Sequence, residues 1–346
     1  MTHMRDEILE QPEALRATVG ALLPRTAEIA ALARDIRHVL FFARGTSDNA
    51  AVYGLYLIQT TAGLLSSLGA PSVATTYRSR VDLAGVLAVG LSQSGRTAEI
   101  IETLAWARDN GARTAAITNA ADSPLAQVAE LALITQAGVE RAVPATKTFT
   151  CQLAALAVFA IGLGADLDAD VLRRLPDLIG EHIADAGAVG YGLDEMVADL
   201  TDVRGLVVSA RGMAYSAALE LALKIKEACY LNAMGISWAD LQHGPIAVVD
   251  ADNPAIVLAP DSGPTVDAAV SLARRVTEAG AKVYVIGGGA KLAAVASRAL
   301  PGPALPEWLA PVGLIVPGQL LTEALSRRLG LDPDNPRGLS KITQTA

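Results

Sequence analysis

The sequence is poor in cysteine, with only two among 346 residues. Cys151 and Cys229 both lie inside apolar helical patterns. So sparse a pair forms neither the disulfide framework of a small secreted protein nor the thiol cluster of a structural zinc site. We therefore expect two buried, reduced thiols, no metal ion and a cytoplasmic location.

Long hydrophobic runs and a secretory signal are also lacking. The most apolar uncharged run, residues 151–165, is shorter than the roughly 20 residues that a membrane-spanning helix needs. Charged residues stand where a signal peptide would have its apolar core: Arg5, Asp6, Glu7 and Glu10. These features predict a protein without a membrane partner.

Positive charge is scarce as well, with 28 Lys and Arg against 36 Asp and Glu and a formal net charge of -8. A nucleic-acid surface needs clustered basic residues, and this chain has no such cluster. We expect no nucleic-acid partner, so any anionic ligand must be held by local groups. The length of 346 residues favours two domains over one core.

What the sequence does contain is an internal repeat. Strand-like runs at 38–43, 85–91 and 114–118 are each followed by a stretch with helical spacing, which predicts parallel strands joined by helices. The same order recurs 167 or 168 residues later, in runs at 205–212, 255–265 and 282–286. A duplicated α/β domain explains this constant offset.

The remaining segments set the predicted boundaries. Residues 146–200 have a helical pattern, in which Pro176 and several glycines indicate two or three helices. The tail after Leu331 has two prolines and little apolar pattern, which predicts an irregular arm. We expect a first domain over 1–200, a second over 201–331 and an arm over 332–346.

The turn Ser-Gln-Ser-Gly-Arg-Thr at 92–97 lies between a buried strand and a helix, where ligands bind in parallel sheets. Its side chains and the free amides of the helix start predict a phosphate site, with Gly95 allowing close backbone approach. The alternative is a simple helix cap. The candidate phosphate ligands here are Ser92, Gln93, Ser94 and Thr97.

Two related turns follow other strands. Residues 45–47, Gly-Thr-Ser, would add hydroxyls from Thr46 and Ser47, or serve only as a tight turn. The repeated copy at 259–265 has Pro260 and Asp261 where the first copy has Ser92 and Gln93. Because proline lacks an amide hydrogen and aspartate repels phosphate, we expect no phosphate in this second copy.

The second half carries ionisable groups instead. Glu220, Lys224 and Glu227 have i, i+4, i+7 spacing on one helix face with apolar neighbours, which indicates either surface ion pairs or a partly buried functional trio. His243 precedes Gly244-Pro245, a rigid turn on which it would be structural or carry a proton. No Ser-His-Asp arrangement is evident.

These motifs in order resemble the isomerase half of glutamine:fructose-6-phosphate aminotransferase, which consists of two sugar-isomerase (SIS) domains. The resemblance rests on GTS, SQSGRT, PATKTF, ALELALKIKEACY, LQHGPIAVVD and DPDNPRGLSKI and covers almost the whole chain. It implies two flavodoxin-like parallel sheets flanked by helices. The aminotransferase also has an amino-terminal glutaminase domain, for which this chain has no room, so we expect no use of glutamine as ammonia source.

The resemblance also implies residue roles. Phosphate would be bound by Ser47, Ser92, Gln93, Ser94 and Thr97, with Thr46 adjacent. Glu227 would move a proton between C1 and C2 with help from Lys224, and His243 would open the sugar ring of the neighbouring subunit in a homodimer. Lys341 matches the tail lysine that forms a Schiff base in the aminotransferase. The family's Ala-Ser-Thr-Lys loop reads Pro144-Ala145-Thr146-Lys147 here, so one sugar-contacting hydroxyl is absent.

The resemblance predicts an enzyme without a cofactor. The leading hypothesis is deamination of glucosamine 6-phosphate to fructose 6-phosphate and ammonia. The alternatives are an aldose–ketose phosphosugar isomerase, a ketosamine-phosphate deaminase and, from a different class, a sugar-phosphate sensor.

Overall fold

The computed structural model describes residues 1–187 and 191–341. They form two compact units, each with one five-stranded sheet. The amino-terminal unit contains Gln11–Glu140 and Lys147–Pro176 together with Ser340 and Lys341. The carboxy-terminal unit contains Met1–Glu10, Arg141–Thr146 and the described residues of 177–339.

The elements alternate between strands and helices in both units. The strands are β1 (His38–Phe42), β2 (Leu65–Leu68), β3 (Val86–Leu91), β4 (Arg113–Thr118), β5 (Leu131–Ile134), β6 (Gly205–Ala210), β7 (Asn232–Ser237), β8 (Ala255–Ala259), β9 (Val283–Gly287) and β10 (Arg298–Leu300). The helices are α1 (His3–Leu9), α2 (Gln11–Leu22), α3 (Thr26–Leu32), α4 (Thr46–Thr61), α5 (Ser72–Thr75), α6 (Ala98–Asp109), α7 (Pro124–Val128), α8 (Lys147–Gly162), α9 (Ala169–Ala186), α10 (Leu193–Leu200), α11 (Tyr215–Cys229), α12 (Trp238–Leu241), α13 (Val266–Glu278), α14 (Gly289–Ala293) and α15 (Ala310–Arg328).

The sheet of the amino-terminal unit is parallel, with strand order β2-β1-β3-β4-β5. Phe42 of β1 lies opposite Gly90 of β3, and Leu91 opposite Ile117 of β4. The carboxyl ends of these three strands therefore meet at one edge of the sheet. Successive strands are added on one side of β1 and then, from β3 onward, on its other side, and open α/β sheets bind ligands at such a switch in strand order.

Helix α8 is the core helix of this unit. Residues 151–160 are all buried, and α2 and α4 pack against them. Alanine is frequent in this run, and its small side chain lets neighbouring helices approach closely. The unit thus buries one helix almost completely, which limits where its few polar side chains can point.

The carboxy-terminal unit repeats the same sheet, with order β10-β9-β8-β6-β7 and parallel pairing throughout. When β6 is aligned with β1, the two strand orders are identical, so the predicted pair of flavodoxin-like sheets is confirmed.

The helical stretch Glu307–Arg328 is long and apolar enough to cross a membrane, but 94% of its most apolar window is buried inside the protein. It is packed as a core helix of this unit.

The six predicted strand runs all contain strands, whereas β2, β5, β7 and β10 were not predicted. All four lie at sheet edges and are short or interrupted by polar residues, so they lack the apolar run of a central strand. In β2, for example, Leu65 is 60% exposed.

The segment after residue 146 forms the three helices α8, α9 and α10, but the role expected for Pro176 was wrong. Pro176 lies inside α9 and does not separate two helices. The described residues of 177–200, grouped with the first domain by sequence, belong to the carboxy-terminal unit, and the boundary near residue 200 stays a prediction. The predicted arm forms no helix or strand over the described residues 332–341.

Both cysteines are free and buried, as expected. Burial raises the pKa of the Cys151 thiol and of the Cys229 thiol to about 12, so both are protonated at neutral pH.

Candidate functional site

The turn at 92–97 forms a polar loop between β3 and α6. Ser92 is buried, and its Oγ lies 3.2 Å from Thr97 Oγ1 and accepts a hydrogen bond from the Gly95 amide at 3.2 Å. Gly95 has φ +61°, a conformation that L side chains rarely adopt. We call this loop, together with Thr46 and Ser47, the hydroxyl cradle.

A simple helix cap does not account for this loop. Thr97 is the residue that caps α6, yet its side chain makes no capping hydrogen bond. Gly45 precedes α4 and has no side chain to offer. Neither N-cap residue thus makes a side-chain capping hydrogen bond, and helix starts of this kind bind phosphate groups well.

The two turns of the hydroxyl cradle are neighbours because β1 and β3 are adjacent strands. Arg44, just before the first turn, forms two hydrogen bonds of 2.9 Å with Glu99 in the first turn of α6. This bidentate pair ties the two turns together. The pairing also neutralises the Glu99 carboxylate, which would otherwise oppose an anion at the start of α6.

Residues at the end of β4 and just after it brace the cradle, and no motif predicted them. The Gln93 carbonyl accepts hydrogen bonds from the Asn119 amide at 3.0 Å and from Thr118 Oγ1 at 3.3 Å. The Gly95 carbonyl accepts one from the Leu125 amide at 3.1 Å. Their position after a neighbouring strand was a signal that could have identified them, since such loops share one sheet edge.

The turn of the second copy uses its own carboxylate. Asp261 Oδ1 accepts a hydrogen bond from the Gly289 amide at 3.0 Å, and partial burial raises the pKa of this aspartate. A carboxylate of the protein itself therefore takes up the Gly289 amide in this turn. This arrangement supports the prediction that the second copy does not bind phosphate.

The predicted trio on α11 is largely buried, so the surface ion-pair alternative is wrong for it. The side chains of Glu220 and Lys224 are 0% and 1% exposed, whereas that of Glu227 is 22% exposed. Lys224 Nζ lies 3.5 Å from Glu220 Oε1 and donates to Glu227 Oε2. Glu227 is thus the accessible carboxylate of a buried charge chain, a setting typical of functional groups.

His243 lies on the exposed turn that was predicted. Its amide donates to the Asp240 carbonyl at 3.0 Å, and Gly244 follows with φ +123°. The imidazole is exposed and available to a ligand or to another chain. Its sharing between subunits stays a prediction.

The tail is held at defined points. In the carboxy-terminal unit, Asp334 accepts hydrogen bonds from the amides of His3 and Met4 at 2.8 and 2.7 Å, and the Tyr230 hydroxyl accepts one from the Arg337 amide at 2.7 Å. These contacts fix the irregular arm without regular secondary structure.

In the amino-terminal unit, Lys341 Nζ lies 2.8 Å from Glu140 Oε2. Glu140 is fully buried and also accepts hydrogen bonds from the Thr148 amide and hydroxyl. Glu140 is not part of any motif in the sequence, although it lies only seven residues before Lys147, which is itself buried. Lys341 is thus held by a carboxylate that has no access to solvent.

The described residues contain no group of three or more His, Cys, Asp and Glu arranged to hold a metal ion.

The family model for the SIS domain matches residues 33–162 and 199–300.

The chain belongs to the SIS domain family. It is 32% identical over 345 residues to glutamine–fructose-6-phosphate aminotransferase (isomerizing) of Pyrococcus horikoshii, with 98% of this chain and 57% of that protein covered. The chain therefore spans little more than half the length of this relative, and it is homologous to the isomerase half.

Two solved structures share the fold along nearly the whole chain. A phosphosugar isomerase of Silicibacter pomeroyi, described as putative, has a TM-score of 0.87 and 30% identity, with 96% of this chain and 100% of that one covered. A glucosamine-6-phosphate deaminase of Thermotoga maritima has a TM-score of 0.79 over 99% and 100% of the two chains. Its identity of 21% shows the fold alone.

Proposed function

We propose that this SIS-family protein is an amino-sugar phosphate deaminase that converts glucosamine 6-phosphate and water to fructose 6-phosphate and ammonia. The observation that carries the proposal is the α11 trio, in which Glu227 is the accessible end of a buried carboxylate–lysine pair. A carboxylate so placed is suited to repeated proton transfer, which contributes roughly 10²–10⁴-fold to a rate. The names of the relatives supply the substrate class.

In this mechanism the hydroxyl cradle would bind the phosphate and so supply binding energy remote from the reacting carbons. His243, provided by the neighbouring subunit of a homodimer, would open the ring. Glu227, assisted by Lys224, would take the C2 proton of the open aldehyde and return a proton to C1. With a proton also passed from the C2 amine to O1, the product would be a C1 alcohol with an imine at C2, which water hydrolyses to the ketone and ammonia.

Lys341 is the second group that would meet the sugar. Following the family resemblance, we assign it to Schiff-base formation with the ketose at C2. Its contact with buried Glu140 supports a defined position for the amine. Trapping with borohydride in the presence of fructose 6-phosphate, followed by mass spectrometry, would detect a sugar adduct on Lys341 if the assignment is correct.

The test of the reaction is incubation of the purified protein with glucosamine 6-phosphate and measurement of ammonia and fructose 6-phosphate. Glu227→Gln should abolish both products. Lys226→Gln, which changes an exposed charge on the same helix, should leave turnover within about twofold because such surface charges contribute little. Absence of ammonia from any of a panel of amino-sugar and ketosamine phosphates would overturn the deaminase.

The nearest alternative is an aldose–ketose isomerase, which would use Glu227 in the same way and release no ammonia. A phosphosugar sensor is the alternative from another class. It would be supported if Glu227→Gln bound sugar phosphate normally and the parent protein turned nothing over.

A further inference from the structure

Gln152 is a buried polar residue in the middle of the apolar helix α8. The residue is 2% exposed, and the residues on both sides of it along the helix are buried. A primary amide in such a place destabilises a fold unless it is hydrogen-bonded. Gln152 has one such bond, since its Nε2 donates to Ser47 Oγ at 2.9 Å.

This bond determines how the Ser47 hydroxyl can act. A serine hydroxyl has one proton to donate and two lone pairs to accept with. Because Gln152 donates to one lone pair, the Ser47 proton must point toward another acceptor. Phosphate oxygens are acceptors, so the bond from Gln152 leaves the Ser47 hydroxyl able to donate a hydrogen bond to a phosphate.

The other end of the amide is left unsatisfied. Gln152 Oε1 is buried and has no hydrogen-bond partner among the described residues. Turning the amide around would leave the two N–H donors of Nε2 without Ser47 Oγ as acceptor, and Oε1 would then take the Ser47 proton. Each orientation leaves two of the three hydrogen-bonding groups of the amide unpaired, but only the orientation in the structure keeps the Ser47 hydroxyl free to donate to a ligand.

We propose that Gln152 is a positioning residue that fixes the Ser47 hydroxyl as a hydrogen-bond donor to the phosphate of the substrate. The inference rests on one part of the proposed function, phosphate binding by the hydroxyl cradle, and is independent of the chemistry at Glu227. Gln152 itself does not touch the phosphate in this scheme. Its whole effect on binding passes through Ser47.

A double-mutant cycle tests this claim on the full chain, with fructose 6-phosphate and inorganic phosphate as probes in titration calorimetry. Ser47→Ala should weaken binding of fructose 6-phosphate roughly tenfold to a hundredfold, since it removes a hydrogen bond to a charged group. Gln152→Met, of similar volume, should weaken it about threefold to tenfold. In the Ser47→Ala background, Gln152→Met should change binding by less than about twofold.

The matched control is Gln11→Met, the same substitution at another buried glutamine of this unit. It should leave phosphate binding within about twofold of wild type, because Gln11 lies at the start of α2 and is not a residue of the hydroxyl cradle. If Gln152→Met does not fold, Gln152→Asn replaces it in the cycle.

Equal effects of Gln152→Met in the wild-type and Ser47→Ala backgrounds would overturn the inference, and so would an unchanged affinity in the single variant. Failure of the wild-type protein to bind either probe would overturn the cradle and the inference together. Binding with the expected coupling but without ammonia release would remove only the proposed reaction.

Discussion

Replacement of glycine by alanine at three positions of the amino-terminal unit should separate backbone strain from steric overlap. At Gly95, φ is +61°, and a Cβ would overlap the Ser123 side chain and lie 2.9 Å from Thr118 Oγ1. At Gly45, φ is +56° but nothing lies within 4 Å. At Gly20, inside α2, the space is also open and φ is in the ordinary range.

The expected changes in the free energy of unfolding follow from these differences. Gly20→Ala should stabilise by about 0.5–1 kcal/mol, since alanine has less backbone freedom to lose in a helix. Gly45→Ala should cost about 1–2 kcal/mol, because φ +56° with ψ −131° is a conformation that L side chains rarely adopt. Gly95→Ala adds overpacking of about 1–3 kcal/mol to the same strain, giving about 2–5 kcal/mol in total.

Urea denaturation followed by circular dichroism measures the three values, and binding of inorganic phosphate measures the effect on the cradle. Gly95→Ala should also weaken phosphate binding, because the Gly95 and Ser92 contacts shape the loop. A Gly95→Ala variant that is destabilised no more than Gly45→Ala would contradict the steric overlap at Gly95. A Gly20→Ala variant that is the least stable of the three would contradict the expected order as a whole.

Three further outcomes are expected. Mixing Glu227→Gln and His243→Asn subunits should restore about 25% of wild-type deaminase activity if the histidine is shared in a twofold dimer, and none if each site uses its own. Glu140→Gln should lower the free energy of unfolding by about 1–3 kcal/mol in urea denaturation, because Lys341 loses its carboxylate; a change under about 0.5 kcal/mol contradicts this. Burial raises the pKa of Glu307, so the stability that this residue contributes is present at low pH and lost as pH rises through that pKa. The urea midpoint of Glu307→Gln should therefore be higher than that of wild type at pH 7 but not near about pH 4. A larger difference between the two proteins at the acid end would contradict this pH dependence.

Central strands were predictable because they are buried on both faces. Runs such as that of β8 are apolar at every position, and this continuous pattern marks a parallel strand. Edge strands such as β2 carry Ser66 and Ser67 between exposed leucines, so nothing in their sequence distinguishes them from a loop. The position of Pro176 was misjudged for a related reason, since helix packing tolerates one missing amide donor inside α9.

Candidate residues were predictable where a motif places polar groups next to a turn, as at Ser92 and Thr97. Gln152 and Glu140 were not, because each is one polar residue in a stretch without a motif, and its partner is distant in sequence. Ser47 lies 105 residues before Gln152, and Lys341 lies 201 residues after Glu140. Spacing along a helix or loop carries no information about such pairs.

The sequence by itself determined the duplication and the parallel sheets, because the repeated spacing is visible in the order of residues. It also determined the contrast between the turns at 92–97 and 259–265, because the loss of an amide donor at Pro260 is a property of that residue alone. Only the tertiary structure decided that Glu220 and Lys224 are buried while Glu227 is accessible, that Asp261 takes the Gly289 amide, and that Gln152 orients Ser47. Burial and hydrogen-bond direction depend on which distant segments pack together. That choice is made by the whole fold, and no single stretch of sequence contains it.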